Sequence, residues 1–84
     1  MNNIKKRKII NIIINVLHLN SGHITPSTAL IKELQIDEFD LEHIYAAIEK
    51  EFGISLVMKD FHNFTQINDF IDVTDESLIL YQKL

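Results

Sequence analysis

Apolar residues recur along the chain in four blocks, and the spacing within them is helical. The first block, from about Ile4 to Leu19, sets Ile9, Ile13, Val16 and Leu17 on one face, with Ile10 and Ile14 widening the stripe. Isoleucine also suits strands, but the block outruns a typical strand and holds no turn, so it predicts a buried first helix. "NSGHITPST" ends it: Asn20 and Gly22 tolerate the left-handed conformation of a helix stop, and Pro26 keeps the chain extended. The following "ALIKELQI" predicts irregular structure with Leu30, Ile31 and Leu34 turned to the core.

The second block predicts the best-defined helix. Asp37 is an N-cap residue, and Asp40 three positions on completes an acidic capping box. Leu41, Ile44, Ile48 and Phe52, with Ala47, make one buried stripe, while Asp40, Glu42, Glu49 and Lys50 fall largely elsewhere. Gly53 closes the helix. A short third helix is expected around Lys59 to Phe61, and a fourth from a Thr65 cap through Ile67, Phe70 and Ile71. The chain thus divides into a bundle, 1–73, and an apolar tail, 74–84. That tail carries Leu78, Ile79, Leu80, Tyr81 and Leu84, too apolar to stay solvated. It has three outlets: to prolong the fourth helix, to fold back on the first, or to pair with a second subunit as a homodimer.

Composition narrows the class. The 84 residues suit one small domain, and 46% hydrophobic with 24% charged residues is a globular mixture. Only two glycines and one proline interrupt it, which favours helices over a many-turned β fold. Cysteine is absent, so disulfides and thiol chemistry are excluded. The net charge of −4 argues against nucleic acid as a partner. Lys5, Lys6, Arg7 and Lys8 supply half of the eight basic residues and precede the run "IINIIINVLHL". Asn11, Asn15 and His18 interrupt that run, and no small-x-small site follows, so it reads as a core helix with a solvated basic end rather than a signal peptide. It is also too short and broken to span a membrane, and a cytoplasmic protein is expected.

Candidate chemistry is sparse. "DEFDLE" lacks the alternating ligands and central glycine of a calcium loop. His18, His23, His43 and His62 have no zinc-site spacing. No phosphate loop, nucleophile elbow or triad is legible, so no enzyme and no catalytic residue are expected.

With "ELQIDEFDLEHIYAAIEKEFGI" at its centre, the pattern from about Ile9 to Ile71 resembles the acyl carrier proteins. Ile12, Ile13 and Leu17 look like that family's first-helix core, Glu51 and Phe52 like the pair that closes its second helix, and "FTQINDFI" like its fourth helix. The resemblance implies an all-α four-helix bundle with a long loop between helices 1 and 2. It also implies a serine after the capping aspartate, whose hydroxyl takes 4'-phosphopantetheine from coenzyme A. Here that position is Glu38, between Asp37 and Phe39. Attack by a carboxylate on phosphorus would give a labile acyl phosphate, and its charge would repel the diphosphate. Ser21, Ser27, Ser55 and Ser77 all lie elsewhere in this register. No cofactor is therefore expected.

Further implications concern partners. The family's second helix docks on enzymes of fatty-acid, polyketide or related biosynthesis through acidic side chains. Carried onto this chain, the partner-binding residues are Asp37, Glu38, Asp40, Leu41, Glu42, Tyr45 and Glu49, with His43 and Lys50 departing from the acidic pattern. Glu38 has two readings: an acid favoured by the helix dipole, or a permanent charge standing for the missing phosphate. Phe39 and Tyr45 are expected either to fill the space that holds an acyl chain in carriers or simply to pack in the core. The expected function is a non-phosphopantetheinylated interaction module; the alternatives are a true acyl or peptidyl carrier modified at another residue, an unrelated helical regulatory or oligomerising subunit, and a relic without a partner.

Overall fold

A computed structural model describes residues 2–20, 24–56 and 63–82 of the chain. They form three helices: α1, Asn3–Leu17; α2, Glu38–Phe52; and α3, Ile67–Gln82. Among the described residues there is no strand, only an isolated antiparallel bridge between Ala29 and Gln66. The expected fourth helix is α3. The short helix expected around Lys59 to Phe61 lies outside the described residues.

Helix α1 starts at Asn2, whose side-chain oxygen accepts from the Lys5 N–H at 2.9 Å. It ends two residues earlier than the sequence suggested. The left-handed residue is His18, at φ 56°, rather than Asn20. The His18 N–H donates to the Asn15 carbonyl and the Leu19 N–H to that of Ile14, the two bonds of a Schellman closure. Leu19, which follows the left-handed residue, is half-buried.

The long loop is stitched to the start of α3 through its backbone. Leu30 N–H donates to the Thr65 carbonyl (2.8 Å), Ile67 N–H to that of Thr28 (3.1 Å) and Asn68 N–H to that of Pro26 (2.7 Å). The carboxylate of Asp69 reaches back to the N–H groups of Thr65 (2.8 Å) and Gln66 (2.9 Å). Donors that a helix start leaves orphaned are thereby satisfied. Thr65 was the expected cap; the capping acceptor is Asp69, from which the Thr65 hydroxyl stands 3.4 Å away.

Leu30 is wholly enclosed, as expected, but Ile31 is 57% exposed. Residues 29–35 make a helical turn, with Glu33 N–H bonded to Ala29 and Gln35 N–H to Ile31. Leu30 and Leu34, four apart, then share the inward side, and Ile31 is rotated off it. Gln35 closes the turn at φ 54°.

The core gathers Ile9 and Ile13 from α1, Leu30 and Ile36 from the loop, Leu41, Ile44 and Ile48 from α2, and Ile67, Phe70, Ile71 and Val73 from α3. Each fully buried side chain of this size contributes about 1.5–3 kcal/mol. Phe64 stands edge-on to Phe70, ring centres 5.0 Å apart. Two buried hydroxyls in α3 bond back to the preceding turn, Thr74 to the Phe70 carbonyl and Ser77 to that of Val73, both at 2.7 Å. Leu78 still packs against the core from the side of α3, whereas Ile79, Leu80 and Tyr81 after it are exposed. No helix among the described residues is long and apolar enough to cross a membrane.

Candidate functional site at the start of the second helix

The sequence reading placed the site at the entry to α2, and local chemistry builds that entry firmly. Asp37 is extended, at φ −107°, and its carboxylate accepts from the Asp40 N–H at 2.9 Å. The Asp40 carboxylate accepts from the Asp37 N–H at 3.0 Å, so both arms of the capping box are made. Negative side chains here also face the positive end of the helix dipole. Glu38, Phe39, Glu42 and His43 are exposed and Asp40 is half-buried. The first turn and a half therefore presents Glu38 and Glu42, four apart, on one exposed side of the helix beside the exposed Asp37, while the half-buried Asp40 is turned away into the cap.

Phe39 stands beside them, 71% exposed. It neither fills a space between helices nor packs in the core, the two places expected for it. The buried stripe of Leu41, Ile44 and Ile48 settles the direction: at 100° per residue, a side chain two positions before Leu41 lies roughly opposite it. That signal was present in the sequence.

Three other expected docking residues face elsewhere. Leu41 is 5% exposed and belongs to the core. Tyr45 and Glu49 are half-buried and grip the chain beyond α2. The Glu49 carboxylate accepts from the Leu56 N–H at 2.9 Å, and the Tyr45 hydroxyl donates to the Leu56 carbonyl at 3.3 Å. Burial, and secondarily the charge of Glu49, push the Tyr45 phenol above its ordinary value of 10.0. A tyrosine and an acid four apart do suggest a shared helix face, but a backbone target eleven residues from Tyr45 leaves no mark in the sequence. Lys50 and Glu51 are exposed near the helix end, where Glu51 approaches Lys8 of α1 at 3.9 Å.

Phosphopantetheine attachment requires a hydroxyl, and this helix start offers a carboxylate, so the residues here do not fit the group. The described serines stand apart from it. Ser27 lies in the long loop 3.2 Å from the Thr25 hydroxyl, Ser55 follows α2, and Ser77 is buried in α3. Among the described residues no group of three or more His, Asp or Glu side chains is placed to hold a metal ion.

A small helical domain with a long first loop, and a second helix entered through a capped acidic turn, defines a carrier-protein class of fold. The family described as the phosphopantetheine attachment site matches residues 7–73, and the chain belongs to it. Acyl carrier proteins are among its relatives. One from Nitratidesulfovibrio vulgaris strain Miyazaki F is 29% identical over 66 residues, covering 79% of this chain and 87% of its own. Another, from strain DP4, is 27% identical over 67 residues, covering 80% and 88%. That of Solidesulfovibrio magneticus is 25% identical over 69 residues, covering 82% and 88%. Members of this family are non-enzymatic carrier domains, and the chain is one of them in fold and lineage.

Proposed function

We propose that this chain is a carrier-protein-derived interaction module that carries no phosphopantetheine arm and engages a biosynthetic enzyme, of fatty-acid, polyketide or related synthesis, in the cytoplasm. The observation that carries the reading is Glu38: an exposed carboxylate in the first turn of α2, next to the capping Asp37, where the family's reactive hydroxyl is expected. Its charge stands where a loaded carrier bears its phosphodiester.

The docking surface is Glu38 and Glu42 on one side of α2 with Asp37 at its entry and the exposed Phe39 beside them, the half-buried Asp40 serving the cap instead. A partner that fits it has an apolar pocket rimmed by Lys or Arg: the aromatic ring supplies buried area and the acids supply steering. Leu41, Tyr45 and Glu49 are left out of this surface by their burial and their bonds to the fold. His43 and Lys50 restrict the choice, because both add basic character to a face that ordinary partners meet as acidic. Charge reversal at these two positions should therefore improve binding to a standard ketosynthase.

The test is affinity capture from the native cell with the tagged chain, beside Glu38→Gln and Phe39→Ala. Capture of a biosynthetic enzyme by the parent, weakened at least tenfold by either substitution with thermal stability kept, supports the reading. Capture insensitive to both would remove this face from the interaction.

A further inference from the structure

Ile31 has no role in the core or in the acidic entry of α2. Leu30 is buried and Leu34 half-buried in the same turn, and Ile31 is left 57% exposed. It lines a cleft of about 390 Å³ together with Ala29, Lys32, Thr65 and Gln66, where the long loop meets the start of α3. A volume of that order is within the range of small-molecule sites.

Both walls of the cleft are held by the backbone. The Ala29–Gln66 bridge joins them. The Leu30 N–H donates to the Thr65 carbonyl at 2.8 Å, and the Ile67 N–H to that of Thr28 at 3.1 Å. The cleft is therefore preformed rather than opened by a ligand. The nearest acids along the chain are already engaged. The Glu33 carboxylate accepts from the Ala29 N–H at 3.1 Å, and that of Asp69 from the N–H groups of Thr65 and Gln66. Lys32 and Gln66 are exposed, and among the described residues their side chains have no ion pair or hydrogen bond. What the cleft offers is one cation and one carboxamide, set beside the apolar surface of Ile31 and Ala29.

The geometry points to a binding site for a small carboxylate amphiphile. Its aliphatic tail lies along Ile31 and Ala29, and its carboxylate takes the Lys32 ammonium on one oxygen and the Gln66 carboxamide N–H on the other. A single lysine suits one negative charge. A phosphate dianion would need more positive charge than this, on a chain whose net charge is −4. An apolar cation would be repelled by Lys32. The cleft takes no residue from α2, so the assignment stands apart from the reading of Glu38.

The experiment is a titration of the full, nitrogen-15-labelled chain, followed by amide chemical shifts, with hexanoate, hexanol, hexylammonium and acetate, each up to about 20 mM. Hexanoate should shift the amides around Ala29 to Lys32 and Thr65 to Ile67 in one saturable process, with half-saturation at about 1–5 mM. Hexanol, lacking the charge, and acetate, lacking the tail, should each bind at least fivefold more weakly, and hexylammonium should leave these amides unmoved. Lys32→Glu and Ile31→Ser should each weaken hexanoate at least fivefold. Both positions are exposed, and circular dichroism checks that each variant is folded. Shifts that do not saturate, or that centre on another part of the chain, overturn the assignment. So does hexanol or acetate binding as well as hexanoate, or hexanoate binding that ignores both substitutions.

Discussion

Glu49 distinguishes a scaffold residue from a docking residue, and its replacement has a calculable effect. Its carboxylate holds the Leu56 N–H at 2.9 Å, while Leu56 itself is 5% exposed. In Glu49→Ala that N–H loses an ionised acceptor beside a buried side chain. A hydrogen bond to a charged group is worth about 1.5–3 kcal/mol; half-exposure of Glu49 and access of water place the expected loss at the low end, about 1–2 kcal/mol. Glu49→Gln keeps an acceptor oxygen and should lose less than about 1 kcal/mol. Tyr45→Phe removes the weaker 3.3 Å bond to the other side of the same residue and should cost about 0.5–1 kcal/mol. Both side chains restrain Leu56, so the double variant should depart from additivity by about 0.5 kcal/mol or more. Urea unfolding of the four proteins, followed by circular dichroism, measures every term. An unchanged unfolding midpoint in Glu49→Ala would refute the grip on Leu56 and return Glu49 to the docking surface.

The remaining predictions are smaller in scope. Tyr45 binds its proton more tightly in the folded chain than in the unfolded one, so its contribution is intact below pH 10.0 and lost as pH rises through the higher folded value; alkaline unfolding midpoints should show a shallower loss in Tyr45→Phe, and tyrosinate absorbance in Tyr81→Phe should show the Tyr45 titration moving down on Glu49→Gln. His18→Gly should raise stability by about 0.5–1 kcal/mol, because glycine relieves the left-handed strain at φ 56° although it adds freedom to the unfolded chain; a fall in thermal midpoint would contradict this. Asp37→Ala breaks the capping box and should cost about 1 kcal/mol, seen as a lower urea midpoint with α2 amides exchanging faster. Leu30→Ala should cost about 2–5 kcal/mol, since a wholly enclosed loop side chain is lost; a cost under about 0.5 kcal/mol, the range of an exposed site, would show that the loop does not plug the core.

What the sequence disclosed follows from the range of the interactions involved. The entry to α2 was legible because a capping box, a stripe at i, i+3 and i+7, and a closing glycine are all local. The inward Leu30 and the α3 core of Ile67, Phe70 and Ile71 were legible for the same kind of reason. The end of α1 was not, because the left-handed position falls on His18, a residue less tolerant of positive φ than Asn20, and the backbone bonds that close the turn there carry no sequence mark. The roles of Tyr45 and Glu49 were hidden because they serve a backbone group beyond the helix. Thr65 and Asp69 exchanged the expected capping role for a related one, an acid reaching back to the helix start. Phe39 could have been placed outside by the same wheel that placed Leu41 inside.

The measurement closest to the central claim is the intact mass of the purified chain after incubation with coenzyme A, magnesium and a broad-specificity phosphopantetheinyl transferase, beside Glu38→Ser. The account predicts no gain in the native chain and a gain of one arm in the variant: a carrier scaffold that has ceased to carry, restored by a single hydroxyl. A gain of one arm in the native chain would contradict it, and would make the protein a working carrier modified at another residue.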